Sequence, residues 1–154
     1  MNTEEQFFLI DMAQRNIIKL LDGLTIQQIN KIPDGFRNNL VWNFAHVVAS
    51  LQWICYGRQG LPLRLSEEFV HAYKFGTKPE KFVEAEEYEQ IKQLATQGLE
   101  ALRNDYNNGY FGEFKPYVTM SGMPVDNIDF AIRYVGFHHG LHQGYATALK
   151  NLVV

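Results

Sequence analysis

Residues 126–151 read DNIDFAIRYVGFHHGLHQGYATALKN, and this stretch decides the fold class. Ala131, Val135, Tyr145 and Leu149 recur on one arc at the helical period. Asp126 is a good N-cap, so the spacing predicts one helix from about Asp126 to about Asn151. A long helix with a single apolar arc has to bury that arc against other elements.

Three further stretches show the same period. Residues 39–56 hold Leu40, Phe44, Val47, Val48 and Leu51, which make much of the circumference apolar and predict deep burial; Gly57 is the expected stop. Residues 3–22 hold Phe7, Ile10, Ile17 and Leu20, with Thr3 and Gln6 as a candidate capping box and Gly23 as the stop. Residues 85–106 hold Tyr88, Ile91, Ala95, Leu99 and Leu102, ended by Asn108-Gly109. A second box, Thr25 with Gln28, predicts one extra helical turn before Pro33. Residues 58–83 form a long connection with a possible capped turn at Ser66, and a helix bundle admits such a crossover. Tyr117-Val118-Thr119 followed by Ser121-Gly122 changes the period and predicts a small hairpin. The expected fold is all-α: four long helices, a long crossover and a small hairpin before the last helix.

The totals narrow the function classes. A chain of 154 residues fits one domain and can bury a core. A net charge of −3 and a pI near 5.9 give no electrostatic case for nucleic acid. No apolar run reaches the roughly 18 residues that a membrane helix needs. MNTEEQFFLI carries Glu4 and Glu5 and no basic residue, so no signal peptide is expected. Cys55 is the single cysteine, which excludes an internal disulfide framework. A cytoplasmic protein is the expectation.

The chain has five histidines, and His138, His139 and His142 lie within five residues of the last helix. Residues four apart share a helix face, so His138 and His142 can chelate one divalent metal. His139 and His142, three apart, share a face as well, and the apolar arc favours His138 only slightly. His46 is the best third donor. It sits mid-helix among apolar residues, where a bare imidazole needs a partner or a metal. A lone histidine is more often a core or surface residue than a ligand. His71 is expected at the surface, and Cys55 points about 180° away from His46 on its helix. One Glu-x-x-His pair, Glu68 to His71, lacks the partner motif that a di-iron bundle requires.

Two motifs then resemble those of the DinB-like superfamily, which includes the YfiT-type metal-dependent hydrolases. Trp42-Asn43-Phe44-Ala45-His46 looks like its W-x-x-x-H segment on the second helix, and His138-His139-Gly140-Leu141-His142-Gln143-Gly144 looks like its H-x3-H-x-G segment on the fourth. The crossover also holds a G-x-x-P element, Gly76-Thr77-Lys78-Pro79. The resemblance implies an up-up-down-down four-helix bundle in which His46, His138 and His142 bind nickel, zinc, manganese or iron, with nickel or zinc foremost. It gives His139 no ligand role. It also implies a homodimer, acting on a small-molecule substrate or with a low-molecular-weight thiol as cofactor.

Three neutral imidazoles leave coordination positions open, the pattern of a catalytic rather than a structural site. Such a site suits a hydrolase or a thiol transferase. Hydrolysis normally needs a general base nearby. Asp129 faces away from His138 along its helix, and Glu67 and Glu68 read as solvated charges at a helix start. Tyr134, Tyr145, Asn43 and Ser50 are helix neighbours able to orient an imidazole or a substrate. The missing base motivates a second expectation, a non-catalytic or stress-associated metal-binding protein.

Overall fold

Asn2 opens the first helix in the computed structural model, which describes residues 2–154. Helix α1 spans Thr3–Asp22. Its capping box uses Asn2 and Glu5, not Thr3 and Gln6: Asn2 Oδ1 accepts from the Glu5 N–H at 2.9 Å, and Glu5 Oε2 accepts from the Asn2 N–H at 2.9 Å. Thr3 is drawn elsewhere, donating to Asp129 Oδ1 at 2.9 Å. Helix α2 spans Ile26–Asn30 and is capped by Thr25 and Gln28 as expected. Helix α3 spans Leu40–Cys55, with Asn39 as N-cap. A 3₁₀ turn covers Gly57–Gln59. Helix α4 spans Glu67–Tyr73 behind the Ser66 cap. Helix α5 spans Ala85–Asn107, and Gly109 turns the chain at φ +67°, a conformation that favours glycine. Strands β1, Tyr117–Val118, and β2, Pro124–Val125, pair antiparallel with Tyr117 opposite Val125. Helix α6 spans Ile128–Lys150. Its cap is Asn127 rather than Asp126; Asn127 Oδ1 accepts from the Phe130 N–H at 2.8 Å.

The molecule is mostly helical, with that one small hairpin. Side-chain contacts set the helix directions. Thr3 meets Asp129, and Asn16 meets Gln143, so α1 and α6 run parallel. Phe44 packs edge-on to Tyr88, and Tyr56 donates to Asp105, so α3 and α5 run parallel. Asn43 meets His142 while Asp22 meets Tyr88, so the α1/α6 pair opposes the α3/α5 pair. The expected up-up-down-down order is therefore corrected to up, down, down, up. The reason is connectivity. An up-up-down-down order needs two long crossovers. The Tyr106 hydroxyl donates to Asp129 at 2.7 Å, so the link from α5 to α6 returns to the end it left. Only the link between α3 and α5 has to run the length of a helix, about 24 Å for α3 at 1.5 Å per residue.

Helix α3 is the centre of the core. Every residue in it except Trp53 is buried. Leu40, Phe44, Val47 and Val48 join Ile17, Leu21 and Tyr88 in one apolar cluster. Leu51 and Cys55 join Phe7, Leu102 and Ile132 in a second. Each such large side chain contributes about 1.5–3 kcal/mol on burial. Helix α4, inside the crossover, packs on α3 and covers a further side of it. No helix among the described residues is long and apolar enough to cross a membrane.

Candidate metal centre

The antiparallel crossing of α3 and α6 sets His46 opposite one turn of α6. The His46 ring centroid lies 5.3 Å from that of His138 and 4.7 Å from that of His142. His138 and His142 lie 4.5 Å apart. One ring nitrogen from each of the three falls within 4.8 Å of the others. His139 is not among them. It is fully buried on the α1 side of α6, where Gln14 Nε2 lies 3.3 Å from its Nε2. That contact separates the i, i+4 pair from the competing i, i+3 pair. His71 is exposed on α4, and Cys55 is buried in the core away from the cluster.

Two of the three imidazoles are held by neighbours. His46 Nδ1 lies 2.7 Å from the Tyr73 carbonyl oxygen. A carbonyl only accepts, so Nδ1 carries the proton and Nε2 keeps its lone pair for another partner. Ser50 Oγ sits 3.3 Å from that Nε2, and the Trp42 ring stacks on the His46 ring with centroids 4.8 Å apart. On α6, His142 Nδ1 lies 2.6 Å from Asn43 Oδ1, and Asn43 Nδ2 donates to the His142 main-chain carbonyl at 3.1 Å. His138 differs: its Nδ1 is buried and has no hydrogen-bond partner among the described residues. A buried polar atom left unpaired costs about 1–3 kcal/mol.

The electrostatics match this picture. Burial and then the neighbouring imidazoles push His138 and His142 down to about 3. Burial lowers His46 too, with the Tyr73 hydrogen bond opposing it. Neutral imidazole is the form that binds a metal. An orphaned buried nitrogen within a cluster of neutral imidazoles thus fits a divalent ion. No carboxylate belongs to the three-residue group. Glu67 and Glu68 are exposed at the start of α4. Asp129 accepts from Thr3 and Tyr106 at the far end of α6. The Tyr134 ring lies 6.3 Å from that of His138, whereas the Tyr145 hydroxyl turns away to Asn38.

Sequence reading brought Asn43 and Ser50 to the right helix face, and both touch an imidazole. It missed Tyr73. That residue acts through its carbonyl, a group every residue has, so no side-chain signal could have found it. A cavity of about 340 Å³ is lined by Trp42 and Tyr73, which both touch His46, together with Asn39, Lys78 and Val83; none of the three histidines lines it.

The family model for the DinB superfamily matches residues 9–146, most of the chain. No curated protein matches it.

Proposed function

This chain belongs to the DinB superfamily, and from that membership and its three clustered imidazoles we propose that it binds one divalent metal ion at an open site. His46, His138 and His142 would hold the ion. Nickel and zinc both suit imidazole donors and are proposed first, with manganese or iron after them. The observation that carries the reading is the meeting of three neutral imidazoles, His46 buried and His138 and His142 half-buried, one of them with a buried nitrogen that has no partner among the described residues. An ion at such a site supplies Lewis acidity, which makes a water or a thiol acidic near neutral pH.

The proposed activity is that of a metal-dependent hydrolase or a low-molecular-weight-thiol transferase on a small molecule. In that reading the chain's own groups do positioning work. Tyr73 and Asn43 orient two imidazoles, and the Ser50 hydroxyl offers a buried donor beside His46 for a substrate polar atom. A second reading, a non-catalytic metal-binding or stress-associated protein, is favoured by one observation: the histidine group contains no carboxylate to serve as a base.

Metal analysis tests the site. Purified protein should carry about one divalent ion per chain, and His142→Ala should abolish it. Equal metal content in the two would overturn the proposal. A screen of low-molecular-weight thiols with electrophiles, run beside hydrolysable substrates, separates the two enzyme classes; activity in neither supports the non-catalytic reading. We further propose one cytoplasmic four-helix-bundle domain that works as a homodimer. The long family match supports the domain, and Phe137 and Leu141, exposed on α6, are consistent with a partner copy. A measured solution mass of one chain would refute the dimer.

A further inference from the structure

We infer that Asn43 is a positioning residue that fixes the tautomer of His142 and so commits His142 Nε2 to the metal ion. The His142 main-chain carbonyl can only accept a hydrogen bond. The Asn43 atom 3.1 Å from it is therefore the amide nitrogen. The other amide atom, 2.6 Å from His142 Nδ1, is then the oxygen, which can only accept. His142 Nδ1 must carry the proton. A neutral imidazole has one such proton, so the lone pair lies on Nε2.

Burial makes this clamp effective. Asn43 is fully buried, so no water can replace its amide. The arrangement is also compact. Asn43 and His46 are three residues apart on α3 and share a face. One turn of α3 thus supplies an imidazole of its own and the clamp for an imidazole on α6. Tyr73 does for His46 what Asn43 does for His142, and both leave the lone pair on Nε2, where the Ser50 hydroxyl meets that of His46. His138, whose Nδ1 has no partner among the described residues, is the one imidazole of the three whose tautomer no neighbour sets. A bond serving only to join α3 and α6 would need the carbonyl contact alone; the contact to the ring serves the ring.

The role in metal binding rests on the proposed function, whereas the tautomer does not. The test begins with metal-free wild-type protein labelled with ¹⁵N at histidine, at mildly alkaline pH. Long-range ¹H–¹⁵N spectra should show His142 and His46 as Nδ1–H tautomers. In Asn43→Leu, His142 should lose its single tautomer while His46 keeps its own. Zinc affinity of that variant, read by chelator competition, should fall about 10–100-fold, the usual loss when a group supporting a ligand is removed. An Nε2–H tautomer for His142 in the wild type would overturn the inference even if the variant fails to fold. Unchanged zinc affinity in Asn43→Leu would overturn the positioning role. The Nδ1–H tautomer together with no zinc binding by wild type would instead overturn the metal reading, and the role with it, on separate grounds.

Discussion

Four histidines sit where protonation is unfavourable, and this gives the metal-free protein a pH-dependent stability. His138, His139 and His142 lie near 3, chiefly through burial, against an ordinary value of 6.5. Between those values the unfolded chain binds more protons than the folded one. Stability therefore falls as pH drops from about 6.5 toward about 3, by up to about 1.4 kcal/mol per pH unit for each imidazole. Urea unfolding in chelator across that window should show the decline; a flat midpoint would contradict it. His139 separates burial from metal binding. It is fully buried against Gln14 and stands outside the cluster. His139→Ala should keep about one metal ion per chain yet lose about 2–4 kcal/mol of stability, as large-to-small core substitutions do. Loss of metal in that variant would mean that the i, i+3 pair is the chelate. The ambiguity in the sequence was physical. Residues three and four apart share a helix face equally well, and the residue that occupies His139 lies on another helix, 125 positions away in the chain.

At the scale of elements, periodicity in the sequence located every long helix to within a residue or two. The caps slipped by one. Positions 2 and 3, and again 126 and 127, both hold cap-forming residue types, so local preference could not choose between them. Tertiary contacts chose: Thr3 is claimed by Asp129, which leaves Asn2 as the cap. Asn127→Ala should accordingly cost about 1 kcal/mol, and Asp126→Ala much less, in thermal or urea unfolding. Both variants should keep their metal, since the cap lies about three turns before His138. The end of α3 is more sensitive. A Cβ at Gly57 would lie 2.5 Å from Cε3 of the Trp53 ring, so the indole would have to move. Gly57→Ala should destabilise by about 1–3 kcal/mol, the usual cost of overpacking. A midpoint equal to wild type would show that the indole shifts freely.

At the scale of the whole molecule, the class of fold was legible and the helix directions were not. The sequence shows a long connection between α3 and α5, and one crossover is what up, down, down, up requires. The link between α5 and α6 spans residues 108–127 and looks long enough to cross as well; the Tyr106–Asp129 contact shows that it does not. The true crossover is fastened by a small polar clip. Arg64 Nε donates to Asp105 Oδ2 at 2.6 Å, the Tyr56 hydroxyl donates to the same oxygen at 2.8 Å, and the Arg64 guanidinium stacks over Tyr110. Asp105→Ala removes the shared acceptor and leaves the buried Tyr56 hydroxyl unpaired, for an expected loss of about 1–3 kcal/mol. The same crossover carries α4, and Tyr73 at its end supports His46. Loosening the clip should therefore speed hydrogen exchange along the crossover and weaken zinc binding, but less than Asn43→Leu does, because Val70 and Tyr73 still anchor α4 in the core beside α3. A zinc affinity loss in Asp105→Ala as large as that in Asn43→Leu would show that the crossover, rather than the α3–α6 crossing, sets the geometry of the metal centre.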